Sequence, residues 1–372
     1  MRAYLDHNAT SPLRPQAREA MFAALEQCGN ASSVHAEGRA ARATIEKARE
    51  EIARALGTIA PTVVFTSGGS ESCNMAVRGV NVDRIIVSAI EHPCVLEAAK
   101  VSGKPVSLIP VNTDGVIDVD ALDALLADDK GRALVSVMLA NNETGIIQPV
   151  REVVALAQKH GALVHCDAVQ AFGKIPVNFG LLGVDMLTVS AHKLGGPQGV
   201  GALVIRDGLT VAPLIVGGGQ ELRRRAGTEN VAGIAGFAAA VKVAAGETES
   251  HIKALREQVE SALEQGPGEV TVFGKGAERL PNTVCFALPG LAADTALIAF
   301  DLDGVAISSG SACSSGKVAA SHVLQAMGAS EAQVGSAIRV SLGWDSTESD
   351  VHRFIESWQR IAGRHIAQAA AA

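Results

Sequence analysis

Seven short runs rich in β-branched residues, Thr62–Thr66, Arg84–Ser88, Val106–Pro110, Ala133–Leu139, Ala162–Asp167, Asp185–Val189 and Gly201–Ile205, follow one another along the chain. Most are separated by stretches of helical periodicity such as Asp118–Ala127 and Val150–His160. Apolar strands of this kind need cover on both faces, and strands alternating with helices provide it as a mainly parallel sheet between helical layers. The Arg-, Glu- and Ala-rich stretch Glu37–Leu56 predicts an amphipathic helix ahead of the first strand. From Glu229 to about Gln265 the pattern is helical throughout. Beyond it, Val270–Phe273, Asn282–Leu288, Val305–Ile307 and Ile338–Leu342 read as strands with few helices between them. This predicts a second, smaller α+β domain closed by a helix over Glu348–Gly363, with a frayed alanine tail after Gln368.

With 372 residues the chain suits two domains. The expected division is a large domain over 15–255 and a small one made of 1–14 and 256–372, the latter carrying a mobile loop at about 308–321. A net charge of −7 argues against a nucleic-acid partner, and the basic run Arg223-Arg224-Arg225 is too short to alter that. No apolar run reaches bilayer length and the amino terminus lacks the apolar core of a secretion signal, so a cytoplasmic protein without a membrane partner is expected. Six cysteines without any C-x-x-C exclude a disulfide framework or a zinc module.

In open α/β sheets ligands sit beyond the carboxyl ends of the strands, so polar residues there are candidates by position. The first run delivers Thr66-Ser67-Gly68-Gly69-Ser70-Glu71 into a helix, which reads either as an anion cradle or as a plain Ser-capped turn. Later ends carry Glu91-His92-Pro93, Asn141-Asn142-Glu143-Thr144-Gly145 and His165-Cys166-Asp167-Ala168-Val169-Gln170. The sixth leads into Ser190-Ala191-His192-Lys193-Leu194-Gly195-Gly196, where a lysine stands between hydrogen-bonding side chains and a glycine turn. Alone, that lysine could equally be a solvated one. Together the ends offer a phosphate cradle, a histidine, an amide pair, a carboxylate and an amine. Pyridoxal phosphate asks for that set, with Asp167 against the pyridine nitrogen. A metal held by His165 and Asp167 is the weaker alternative, since no third ligand follows at a suitable spacing.

These strings, with Tyr4-Leu5-Asp6, Gly29-Asn30-Ala31-Ser32-Ser33-Val34-His35, Ser72-Cys73-Asn74 and Arg225-Ala226-Gly227-Thr228-Glu229-Asn230, resemble the cysteine desulfurases of the NifS/IscS type across nearly the whole chain. Two departures stand out: His7-Asn8-Ala9-Thr10 replaces the common Asn-Ala-Ala-Thr, and Ser70 replaces a frequent threonine. The resemblance implies a class V, fold-type I pyridoxal phosphate enzyme of the aspartate aminotransferase-like fold, forming a homodimer, with a seven-stranded sheet in its large domain. It implies that Lys193 binds the cofactor aldehyde and moves the α-proton, and that Asp167 and Gln170 hold the ring. His92 would stack on the ring and serve as an acid/base. Gly69, Ser70, Ser190 and His192 would hold the phosphate, and Thr228 would reach the phosphate of the neighbouring subunit. Asn142, which also contributes to the cofactor site, and Arg339 would take the substrate carboxylate, a task suited to a guanidinium's two parallel donors.

Cys313 decides the reaction. It lies in Ser308-Ser309-Gly310-Ser311-Ala312-Cys313-Ser314-Ser315-Gly316-Lys317, with no apolar neighbour to bury it, whereas Cys28, Cys73, Cys94, Cys166 and Cys285 read as small core residues. A swinging thiolate at 313 could take sulfur from L-cysteine, leaving L-alanine, and pass the persulfide to an iron–sulfur scaffold or another acceptor protein, as the resemblance to group I desulfurases implies. A selenocysteine lyase, a cysteine sulfinate desulfinase or a class V aminotransferase would not require Cys313. A nucleotide-binding module is disfavoured because Gly310 to Lys317 has the wrong spacing for a phosphate loop. A non-catalytic scaffold that docks sulfur-handling proteins would show no visible absorption band responding to cysteine.

Overall fold

A computed structural model of the protein describes residues 2–128, 131–247, 250–309 and 320–371. Twelve strands follow in chain order among them: β1 (Ala3–Tyr4), β2 (Val63–Thr66), β3 (Arg84–Ser88), β4 (Val106–Ile109), β5 (Ala133–Ser136), β6 (Leu163–Asp167), β7 (Met186–Ser190), β8 (Gly201–Ile205), β9 (Thr271–Val272), β10 (Thr283–Ala287), β11 (Val305–Ala306) and β12 (Ala337–Ser341). Seven of them form one sheet in the order β2-β8-β7-β6-β5-β3-β4. All pairings are parallel except those of β8 with β2 and β7. The carboxyl ends of β2 to β7 and the start of β8 therefore share one edge. Strand order reverses between β3 and β5, which opens a crevice at that edge.

Alternation along each strand sends neighbouring side chains to opposite faces. In β8, Ala202 and Val204 enter one core with Ile45 and Ile52 of the helix Ala36–Ala55 and Phe237 of the helix Val231–Ala244. Leu203 and Ile205 enter the other, against Met75 and Val77 of the helix Gly69–Gly79 and Val95 of the helix Pro93–Lys100. The sheet is thus covered on both faces, as the apolar runs require.

A third core belongs to the carboxyl-terminal part. The sheet β12-β10-β9 is antiparallel, and the amino-terminal β1 pairs in parallel with β11. Phe286 of β10 meets Trp358 edge to face at 5.1 Å between ring centres. Val351, Phe354, Trp358 and Ile361 form the buried stripe of the last helix.

Two expectations need correction. That helix runs from Glu348 to Ala371, so the alanines extend it instead of fraying, in keeping with the high helix propensity of alanine. The single helical region expected from Glu229 to Gln265 is two helices, Val231–Ala244 and Ser250–Gln265, with Gly246 in the break. Among the described residues no helix is long and apolar enough to cross a membrane.

Candidate active site

A cleft of about 400 Å³ opens at the carboxyl edge of the sheet, lined by Ser67, Gly68, Gly69, Ser70, Ser190 and His192, with Ala9 and Thr10 on its rim. Glycine shapes its floor. Gly68 adopts φ 150°, a conformation L side chains avoid, and a Cβ on Gly201 would lie 2.8 Å from the Gly68 Cα. The start of β8 can therefore press against the turn after β2, and the helix from Gly69 begins with its free N–H groups at the cleft. Ser190 Oγ is buried with no hydrogen-bond partner. His192 Nδ1 lies 3.2 Å from Thr10 Oγ1, and burial, then the Lys193 charge, lowers its pKa to about 4.

Lys193 does not line this cleft. Its ammonium donates to the carbonyls of Asn8 at 2.6 Å and Ala9 at 2.7 Å, and its side chain borders a separate cavity of about 380 Å³ shared with Lys174, Asn282 and Trp344. Asn8 is the centre of the arrangement. Its carbonyl also accepts from Gln170 Nε2 at 2.9 Å, and its Oδ1 accepts from Lys174 Nζ at 2.7 Å and Asn282 Nδ2 at 3.1 Å. Its Nδ2 donates to Thr283 Oγ1 and to the Asn142 carbonyl, and its own N–H donates to Ser341 Oγ. Lys174 also donates to Gln170 Oε1 at 2.8 Å, and burial, then the Lys193 and Arg339 charges, lowers its pKa well below the usual lysine value. Sequence reading noted Asn8 only within a departing string and assigned no role to it or to Lys174. The one local signal for Lys174 is its place four residues after Gln170.

His92 caps the helix Pro93–Lys100, its Nδ1 accepting from the Cys94 N–H at 3.2 Å and lying 3.0 Å from Cys94 Sγ. Asp167, at the end of β6, accepts from the Val169 N–H at 2.9 Å and faces the Cys73 thiol at 3.7 Å. Burial, then the charge on Cys94, raises its pKa to about 6. Glu91 is buried as well. Its Oε1 accepts from Met138 N while Oε2 has no partner, and burial raises its pKa well above the usual range.

His165 has a purely structural setting, between Ser136 Oγ at 2.8 Å and Thr188 Oγ1 at 2.9 Å, inside the sheet. Burial lowers its pKa to about 3, so it stays neutral where the unfolded chain's histidine, at 6.5, takes a proton. Its stabilising contribution is therefore complete above about pH 6.5 and is lost as the pH falls towards 3. His7, lowered to about 4 by burial and then by Lys174, acts in the same direction. Between pH 7 and pH 5 the histidines' share of the unfolding free energy should fall, against the opposite trend of the raised Asp167 and Glu91 carboxyls, and His165→Gln should remove about 2 kcal/mol of that fall. Urea titrations at the two pH values measure it; equal slopes for variant and parent would contradict this account.

On the far side of the crevice, Arg339 of β12 is 3% exposed. It donates from Nη2 to Asp6 Oδ1 at 2.7 Å and from Nη1 to the Asn142 carbonyl at 2.9 Å, while its Nε is buried without a partner. Both outer nitrogens are already engaged, so a carboxylate arriving here would meet the free Nε first or displace Asp6. Asn142 is half-buried and joins this group through its backbone. Thr228 is exposed and lines a small cavity beside its own chain's Thr66, Ser67 and Gly199. Of the cysteines expected in the core, Cys73, Cys166 and Cys285 are buried, but Cys28 is exposed and Cys94 half-buried. Cys28 lies just past the first helix and Cys94 in the first turn of another, where their own elements do not cover them. Cys313 lies outside the described residues, as does most of the loop expected at 308–321.

The whole arrangement has counterparts. The aminotransferase class-V family model matches residues 3–354. The cysteine desulfurase IscS of Dictyoglomus turgidum is 42% identical over 371 residues, covering 96% of this chain and 94% of its own. The IscS-like cysteine desulfurase of Mycobacterium tuberculosis is 40% identical, covering 95% of this chain and 94% of its own. Among solved structures, a NifS-like protein from Rickettsia africae superposes with a TM-score of 0.90 at 38% identity, covering 98% of this chain and all of the other. With a family match spanning nearly its entire length and relatives at this identity, the chain belongs to the aminotransferase class-V family.

Proposed function

We propose that the protein is a cysteine desulfurase, acting on L-cysteine with pyridoxal phosphate and a persulfide-forming Cys313. The observation that carries this reading is the end-to-end match, at about 40% identity, to several proteins named cysteine desulfurase.

The residues at the crevice fit the cofactor. The buried, unpartnered Ser190 Oγ and the free N–H groups at Gly69 and Ser70 line a cleft of about 400 Å³ with the donors a phosphate needs. Asp167 is a buried carboxyl whose pKa burial, then the charge on Cys94, raises to about 6, a setting in which a protonated ring nitrogen would stabilise the carboxylate. When bound, pyridoxal phosphate supplies an aldehyde for amine capture and an electron sink for the substrate's α-carbon.

The chain's own groups would act around it. Lys193 would leave the Asn8 and Ala9 carbonyls to hold the aldehyde and to take the α-proton of cysteine. Gln170 and His92 would orient the ring, His92 moving protons. Arg339 and Asn142 would hold the substrate carboxylate. The net change is L-cysteine plus the Cys313 thiol giving L-alanine plus the Cys313 persulfide, in which one C–S bond breaks and one S–S bond forms.

The reading extends to a cytoplasmic homodimer in which Thr228 contributes to the neighbouring subunit's phosphate site. It includes a large domain over 15–255, a small one over 1–14 and 256–372, and protein acceptors of sulfur for iron–sulfur cluster assembly. Purified protein given pyridoxal phosphate and L-cysteine should form alanine in step with sulfane sulfur on Cys313, located by mass spectrometry after alkylation. Cys313→Ala should keep the visible cofactor absorption and lose both products. Undiminished alanine from that variant would favour a lyase or aminotransferase instead.

A further inference from the structure

Cys94 and Cys73 form a thiol pair in the crevice that the proposed reaction does not use. Cys94 sits in the first turn of the helix Pro93–Lys100, half-buried, with its sulfur 3.0 Å from His92 Nδ1. It also hydrogen-bonds Ser70 and the Cys73 thiol. Cys73 lies on the helix Gly69–Gly79, fully buried, with its thiol directed at Asp167 Oδ2, 3.7 Å away. The two helices cover the same face of the sheet, which is why residues separated in sequence pack in one cluster.

The surroundings treat the two thiols differently. Contacts with Cys73 and His92 favour the thiolate of Cys94 and lower its pKa below the usual thiol value. Cys73, buried between Cys94 and a carboxylate, has its pKa raised well above the thiol range. In geometry too the two differ: Cys94 is half-buried beside an imidazole, and Cys73 is fully buried beside a carboxylate. This is the division of labour of an attacking and a resolving cysteine.

We propose that Cys94 and Cys73 are a modification site for hydroperoxides, Cys94 being oxidised and Cys73 closing the product to a disulfide. In the first step the Cys94 thiolate attacks one peroxide oxygen and the O–O bond breaks. This gives the Cys94 sulfenic acid and, after proton uptake, water or an alcohol. In the second, the Cys73 sulfur forms the S–S bond as the S–O bond breaks. Asp167 takes the Cys73 proton and passes it to the departing hydroxide, which leaves as water. Two thiols are oxidised and one hydroperoxide is reduced. The disulfide removes the Cys94 contact from His92 and the Cys73 contact from Asp167, two groups assigned above to the cofactor ring. The pairing is a property of the crevice itself and holds whichever substrate the enzyme takes.

The test uses the full chain, with and without pyridoxal phosphate, exposed to hydrogen peroxide. Free thiols are then blocked with iodoacetamide and the protein is digested without reductant for mass spectrometry. The expected result is a Cys73–Cys94 linked peptide, lighter by two hydrogens than its parts, with loss of alkylatable Cys94 and full reversal by dithiothreitol. Cys73→Ala should give no linked peptide but a dimedone adduct on Cys94. Cys94 that remains fully alkylatable after peroxide, or oxidation confined to Cys28 and Cys313, would overturn the proposal. The readout is a mass, so it stands or falls separately from cysteine desulfurase activity.

Discussion

Replacing Lys193 with alanine should lower alanine formation from L-cysteine by at least about 10³-fold, because one amine is assigned both to capturing the cofactor and to moving the α-proton. The fold should survive the change. Lys193 is half-buried and donates to the Asn8 and Ala9 carbonyls, and Gln170 Nε2 continues to donate to Asn8. Borohydride should fix pyridoxal phosphate to the parent protein so that it resists dialysis, and should fail to do so in the variant. Cofactor fixed equally well in both proteins would place the reactive amine elsewhere, and Lys174, whose pKa is lowered by burial, would be the next residue to examine.

The largest effect on stability is expected from Glu221→Ala. Glu221 is buried and receives Arg49 through two parallel bonds, Nη1 to Oε2 at 2.7 Å and Nη2 to Oε1 at 2.9 Å. Its Oε2 also accepts the Phe65 N–H at 2.9 Å, while the Arg49 guanidinium lies 4.8 Å from the Phe65 ring centre. Removing the carboxylate leaves a strand N–H without its acceptor and the buried guanidinium with only the partly exposed Glu46 and the Val63 carbonyl, at a cost of about 3 kcal/mol. It also releases a run of left-handed residues, Glu221, Leu222 and Arg223 at φ 47°, 54° and 65°, which the carboxylate pins to β2. Urea unfolding should show a lower midpoint with unchanged slope. The double change Arg49→Met with Glu221→Leu should cost less than Glu221→Ala alone, since no charge is left stranded. A single-variant loss under about 1 kcal/mol would show that the pair is not supporting this corner.

The strands of the large sheet were legible because each is a short apolar run, and all but the edge strand β4, whose Val106 and Leu108 are exposed, are buried throughout. β1 was not. It has two residues, and its pairing with β11 joins positions about 300 residues apart, which no local pattern announces. The same distinction holds at the crevice. Asp167, Gln170, Ser190 and His192 stand where strands end, so their positions alone made them candidates. Asn8 precedes any long element, and its partners Asn142, Gln170, Thr283 and Ser341 come from distant parts of the chain. Cys94 looked like an ordinary core cysteine, and only the packing of two helices reveals its neighbours.

Asn8 has a mechanical consequence. It touches Ser341 and Thr283 of the small antiparallel sheet on one side, and Lys193 and Gln170 of the large sheet on the other. A shift of the amino-terminal strap by the length of a hydrogen bond would take both carbonyls away from the lysine. The amino-terminal strap thus works as a tether by which the small antiparallel sheet sets where the reactive nitrogen is held.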